Sequence, residues 1–251
     1  MSDIFIESPL LKNVGVEHGF FTRNGGISSD EFSSLNCKFN NLDNIENVKN
    51  NLIIAANCLS ANIENLTLLN QIHSNRVIKV NNTVNKIEGD AIYSSRKNSA
   101  IGVITADCVP ILVWDNKNKI ALAIHAGWKG ALNGIIENSI SAIKKSSQCQ
   151  FYAAIGPCIR QNNYEVDEKF YISFLEETTL NNKYFKNSVN KGRFLFDLAK
   201  YCYEKLIKCG VNKIDDLKID TYSDEKKFFS CRRALHKGEK NFGCQLSLIK
   251  I

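Results

Sequence analysis

IGVITADCVPILVWDNKNKIALAIHAGWKG, residues 101–130, holds three short aliphatic runs at 101–105, 111–114 and 120–124, separated by TADC and by the polar turn DNKNK. Runs of this length, rich in β-branched residues and bounded by turn formers, predict strands. Three of them on short connections predict an antiparallel or mixed sheet covered by helices, not a simple doubly wound fold. Working outward, 67–69 and 77–80 upstream and 151–155 downstream read as further strands. Helices flank them. Ile45, Val48, Leu52, Ala55, Ala56 and Leu59 recur at helical spacing, and Asp43 with Glu46 three positions later makes a capping-type start. The same spacing joins Leu132, Ile135, Ile136, Ile140 and Ile143 in one helix, Phe170, Phe174 and Leu175 in a second, and Leu198, Cys202, Leu206 and Ile207 in a third. The tail 244–251 alternates apolar with polar residues and predicts a strand closing a sheet edge. Three prolines and no Gly-, Ser- or Pro-rich linker leave one α/β domain over residues 1–251 as the expectation.

Composition narrows the function classes. With 44% hydrophobic and 23% charged residues the chain reads as globular, and no apolar run reaches the roughly 18–20 residues of a membrane span. The N-terminus lacks a basic start followed by a long apolar stretch, so a cytoplasmic protein without a membrane partner is expected. Thirty-two Lys and Arg against 26 Asp and Glu give +6, but the basic residues are dispersed and not interleaved with aromatics. A nucleic-acid partner is therefore not expected. Nine cysteines, an odd number without a CxxC, read as reduced thiols. Neither GxGxxG nor GxxxxGK[ST] occurs, which removes the usual nucleotide-binding loops.

Histidine is scarce, with only residues 18, 73, 125 and 236. His73 precedes a predicted strand, Cys108 follows one in TADCVP, and His125 ends one before Gly127, so all three lie where side chains project from strand ends. Two imidazoles and a thiolate suit tetrahedral zinc with one open position. Thirty-four residues separate the first pair and sixteen the second, which is not a compact zinc-finger spacing. By spacing alone, two hydrogen-bonded histidines and an inert core cysteine are the stronger reading.

The words HGFFTRNGGIS (18–28), SLN (34–36), NQIHSNRV (70–77), GDAIYS (89–94), TADCVPILVWD (105–115), AIHAGWKGAL (123–132), AAIGPCIRQNNYEV (153–166) and FFSCRR (228–233) together resemble the YfiH/laccase-domain family. That family, formerly labelled multicopper polyphenol oxidase, is regarded as purine nucleoside phosphorylases with adenosine deaminase activity. The resemblance implies a layered α/β/β/α domain of mixed sheets, similar to cytotoxic-necrotizing-factor-type enzymes. It implies zinc on His73, Cys108 and His125, purine nucleosides (adenosine, inosine, guanosine, methylthioadenosine) and inorganic phosphate as partners, and a monomer or small homo-oligomer. Copper binding is expected only as adventitious. A trinuclear copper cluster is built on imidazoles, and four histidines do not furnish one.

Within that reading, a carboxylate must carry protons or orient a histidine, and Asp107 and Asp90 are the candidates, Asp107 being the expected catalytic one. Arg23 and Arg232 are the expected phosphate ligands, with Arg233 beside them. Asn36 and Gln71 are expected to read the purine; Trp128, Phe228 and Phe229 could stack on it, with core packing the stronger expectation for these aromatics. Tyr164 and Glu165 are expected to brace the fold. The chain departs from the resemblance at Cys231, where a tyrosine is usual, and at Cys244, where an arginine is usual. His236, Lys237 or Lys240 would then have to supply the missing cation. A different class, a Cys-His hydrolase acting on a cell-wall precursor with Cys108 as nucleophile and His125 as base, is the competing expectation.

Overall fold

A computed structural model describes residues 4–39, 42–80, 87–144 and 149–251. Its strands are β1 (Phe5–Ile6), β2 (His18–Phe21), β3 (Leu66–Leu68), β4 (Val77–Lys79), β5 (Ala91–Ser94), β6 (Ala100–Thr105), β7 (Val109–Asp115), β8 (Ile120–Ala126), β9 (Phe151–Ile155), β10 (Glu165–Asp167), β11 (Phe185–Asn187), β12 (Arg193–Phe196), β13 (Lys213–Asp216) and β14 (Gln245–Lys250). The helices are α1 (Pro9–Asn13), α2 (Ile45–Cys58), α3 (Trp128–Leu132), α4 (Ile135–Ile143), α5 (Glu168–Glu177), α6 (Leu198–Lys208) and α7 (Cys231–Lys237). Among the described residues no helix is long and apolar enough to cross a membrane.

Two large sheets lie face to face, one ordered β1-β2-β14-β6-β3 and the other β13-β9-β7-β8-β5-β4, with a small sheet β10-β12-β11 beside them. Both large sheets are mixed: β3 runs parallel to β6, β4 to β5 and β13 to β9, and the other pairings are antiparallel. Strand alternation sorts side chains into three apolar layers. On β7 and β8, Ile111, Val113, Leu122 and Ile124 face out toward α4 and α6, meeting Ile136, Ile140, Leu198 and Leu206. Their neighbours Leu112, Trp114, Ala121 and Ala123 face inward against Phe20, Ile101, Val103 and Ile249 of the other sheet. The far side of that sheet, including Leu246 and Leu248, is covered by Val48, Leu52, Ala55 and Ala56 of α2. The layers are thus α/β/β/α, and strands apolar on both faces are what burial on both sides requires.

Gly156, just past β9, shows how close the sheets approach. A Cβ built there would overlap the Phe20 ring of β2. Gly156→Ala is expected to destabilise the fold by about 1–3 kcal/mol through overpacking. The check is a lower denaturant midpoint at unchanged slope; an unmoved midpoint would contradict this tight contact.

Several elements differ from the sequence reading. The runs at 101–105 and 111–114 belong to different sheets, so TADC is a crossover between layers and not a turn within one sheet. The cap of α2 is Asn44, whose side chain accepts from Glu46 N, while Asp43 accepts from Ser28 Oγ and Asn36 Nδ2. Leu132 lies in α3, separated from α4 by Gly134 at φ +88°, a conformation that breaks the expected single helix. The tail strand β14 runs between β2 and β6 and is not an edge. Its polar residues are inside: Ser247 is buried, and Gln245 accepts from Phe229 N and donates to Phe229 O.

Candidate metal centre

His73 lies in the loop between β3 and β4, Cys108 in the crossover between β6 and β7, and His125 next to last in β8. The structure brings these three together: their donor atoms all lie within 4.8 Å of one another. The Cys108 sulfur is 3.9 Å from His73 Nε2, and the two imidazoles stand edge to face at 4.8 Å. Gly127 makes the room. A Cβ there would be 2.8 Å from His73 Cδ2 and 3.2 Å from Cys108 Sγ.

Asp90, fully buried just before β5, organises the histidines. Its Oδ1 accepts from His125 Nδ1 at 2.8 Å and His73 N at 2.9 Å, and its Oδ2 accepts from Ser74 N and Ser74 Oγ, both at 2.6 Å. Its carbonyl accepts from His125 N at 2.7 Å, because β5 and β8 pair antiparallel immediately alongside. The loop bonds hold His73 at φ +58°, and the His125 bond leaves Nε2 of that ring as the free donor atom. Burial alone would raise the Asp90 pKa; hydrogen bonds from His125 and Ser74 outweigh it and hold the group at about 2. Of the two carboxylates considered from the sequence, Asp90 is therefore the one that orients a histidine.

Asp107 sits at φ +86° in the crossover, and its carboxylate accepts from Thr221 Oγ1, Ser230 Oγ and Arg232 N at 2.7, 2.9 and 2.7 Å. Both oxygens are engaged in pinning TADC to the start of α7. These bonds hold the crossover that carries Cys108.

The donor set fits a borderline-soft divalent ion such as zinc. Burial, and then the neighbouring His125, lower the His73 pKa and keep its lone pair available at neutral pH. Burial, and then the Asp107 carboxylate, push the Cys108 thiol up, so ionisation of that sulfur calls for a cation against it.

The remaining sequence candidates divide. Arg232 is tied to the crossover by its backbone, its N donating to Asp107 beside Cys108, and its guanidinium lies 5.3 Å over the Tyr164 ring with one nitrogen donating to Glu165 O. Arg23 does not join it. Its guanidinium packs 4.5 Å over Phe229 in a separate cleft of about 330 Å³ lined also by Asp30, Glu31, Glu225 and Glu239. Four carboxylates make that cleft unfavourable for a phosphate, and Arg233 beside it is buried, donating to the carbonyls of Thr221, Tyr222 and Phe228. Gln71 pairs both ends of its amide with the backbone of Ile104, and Asn36 is fully buried, bonded to Lys38, Asp43 and Cys244. Asn36 is thus committed inside the fold, while Gln71, half-buried, keeps a second amide N–H beyond these bonds. Phe228 and Phe229 are core residues, while Trp128 is half-buried and packs at a tilt against Phe170, ring centroids 4.6 Å apart. His18 is a core histidine with both nitrogens bonded. Of the tail cations, His236 bonds Tyr222 Oη and Lys237 pairs with Glu225. Sequence reasoning missed Lys38 and Lys129, two exposed ammonium groups whose charge acts on His73. Lys129 adjoins Trp128 in the AIHAGWKGAL word, a signal present in the sequence.

A family model described as multi-copper polyphenol oxidoreductase laccase matches residues 17–251. The chain belongs to this laccase-domain family. A relative from Rickettsia conorii named purine nucleoside phosphorylase is 33% identical over 230 residues, covering 91% of this chain and 93% of that protein. A Rickettsia prowazekii protein of the same name is 36% identical over 208 residues, covering 79% and 86%. The crystal structure of a Neisseria meningitidis protein superposes with a TM-score of 0.88 at 29% identity over 99% of both chains. The laccase-domain name speaks of several coppers, whereas the described residues gather one cluster of three donors.

Proposed function

We propose that the chain is a purine nucleoside phosphorylase acting on adenosine, inosine, guanosine or methylthioadenosine, with adenosine deamination as a second reaction at the same centre. The observation that carries this reading is the convergence of His73, Cys108 and His125, with Asp90 behind His125, in a chain related over nine-tenths of its length to a protein of that name. His73, Cys108 and His125 would hold zinc, which supplies Lewis-acid chemistry when bound. In phosphorolysis a phosphate oxygen bonds to C1′ of the ribose while the bond from C1′ to the purine breaks, its electron pair leaving with the base. Arg232 can offer its remaining N–H groups to the phosphate, and Trp128 presents a half-buried face to the purine. Asp90 keeps the His125 ring in one tautomer throughout. For the competing hydrolase, burial and Asp107 disfavour a Cys108 thiolate unless a cation lies beside it.

The test is base release by the zinc-loaded protein with and without inorganic phosphate. Free hypoxanthine from inosine and adenine from adenosine are expected only when phosphate is present, whereas ammonia from adenosine, a product of hydrolysis by water, is expected with or without it. Zinc-loaded protein that releases no base under either condition would overturn the reading.

A further inference from the structure

Consecutive residues of the loop that carries His73 lie along one side of the chain that leaves β8. The His73 ring rests on Gly127, where a Cβ would stand 2.8 Å from its Cδ2. The Ser74 carbonyl rests on the buried Gly130, where a Cβ would stand 2.8 Å from its oxygen. Asn75 Nδ2 donates to Asn133 O at 2.8 Å. Gly127 caps the start of α3, Gly130 lies within it and Asn133 caps its end, so the three contacts recur at a three-residue step and share one face. Gly134 at φ +88° then turns the chain into α4, and Asn138 of α4 completes the clasp, its Nδ2 donating to Asn75 O at 3.1 Å. On the other side of the loop, Asp90 accepts from the amides of His73 and Ser74. Alanine is a better helix former than glycine, so what disfavours a side chain at Gly130 is the Ser74 carbonyl, a backbone group that cannot turn aside.

We propose that α3 is the template that sets His73 against His125 for metal binding, with Gly130, Asn75 and Asn138 as positioning residues. This rests on the reading of His73, Cys108 and His125 as a zinc site. Because β8 leads into α3, one continuous segment carries His125 and the surface on which the His73 loop is seated. The approach of the two rings, 4.8 Å between centroids, is thus set by that surface together with Asp90. Disturbing the seat acts on binding more than on folding. A metal-free chain lets the loop ride up over a new side chain, whereas zinc binding must press it back, so the binding-competent fraction falls.

The experiment is zinc affinity of the full chain by competition with a chromophoric chelator, with thermal unfolding of the metal-free forms alongside. Gly130→Ala is expected to weaken zinc about tenfold or more, because only movement of the His73 loop relieves the overlap. Asn75→Ala and Asn138→Ala each delete one exposed hydrogen bond and should weaken zinc about threefold. Asn138→Gln keeps the amide donor and should recover what Asn138→Ala loses. Metal-free unfolding midpoints should stay close to that of the parent in all four. Parent-like zinc affinity in Gly130→Ala overturns the proposal, as does a loss of affinity matched by an equal loss of metal-free stability, the mark of a merely structural glycine. Should Gly130→Ala fail to fold, the asparagine variants decide: weaker zinc restored by Asn138→Gln upholds the template, and unchanged affinity overturns it. If the parent itself binds no zinc, the metal reading fails separately, and amide hydrogen exchange of His73 and Ser74 tests the seat. Faster exchange in Asn75→Ala upholds it; exchange equal to the parent's overturns it.

Discussion

Cys108→Ala is expected to leave the chain folded, empty of zinc and without phosphate-dependent base release. The sulfur is the one thiolate donor in the cluster, 3.9 Å from His73 Nε2. Its removal leaves two imidazoles, one of them exposed, to hold the ion unaided. Loss of an outer partner of a metal ligand typically lowers affinity or activity about 10–100-fold, and loss of a ligand itself should exceed that. The side chain is small and half-buried, so thermal unfolding of the metal-free variant should match that of the metal-free parent. Elemental analysis and base release read the first effect, and alkylation gives an independent view: Cys108 should resist iodoacetamide with zinc bound and react after chelation. Full zinc content in Cys108→Ala would refute the ligand set. Alkylation that ignores zinc and destroys activity would instead favour the thiol hydrolase.

The centre and the layering were legible to different degrees. His73, Cys108 and His125 stood out because they sit in distinctive words of a chain with few histidines; Cys108 and His125 adjoin strand ends, whereas His73 lies mid-loop between β3 and β4, so the resemblance and not local patterning singled out the set. Residues 101–126 also read correctly as strands, since aliphatic runs bounded by turns carry that signal locally. That β6 and β7 lie in different sheets could not be read from the runs, because the determinant is Asp107 meeting Thr221, Ser230 and Arg232 more than a hundred residues away. The same distance hid the place of β14, whose alternation resembles that of an exposed edge until it pairs with β2 and β6, both more than a hundred residues earlier. Short strands such as β1, β10 and β13 have two to four residues each and exist by pairing, so their own sequence says little. Asn36 and Gln71 are uncharged groups inside distinctive words, and the structure bonds both to backbone, Asn36 to Cys244 and Gln71 to Ile104, contacts that no local pattern announces.

Asp90→Asn is expected to damage the centre from behind, without touching a ligand. The carboxylate presents only acceptors, and it faces only donors: the amides of Ile72, His73 and Ser74, the Ser74 hydroxyl and the His125 Nδ1–H. An amide in the same place turns one acceptor into a donor, so at least one buried N–H or O–H must face an NH₂ group. Each such unpaired group costs about 1–3 kcal/mol, which should appear as a lower unfolding midpoint. The His125 ring is then free to change tautomer or rotate, and zinc affinity should fall roughly 10–100-fold. Ser74→Ala separates the two consequences. It deletes the hydroxyl bond to Asp90 while leaving the carboxylate and its bond to His125, so stability should drop modestly with zinc affinity close to that of the parent. Competition with a chromophoric chelator measures both variants. Wild-type zinc affinity in Asp90→Asn would show that His125 is oriented by its strand alone and that the buried carboxylate serves only the loop carrying His73.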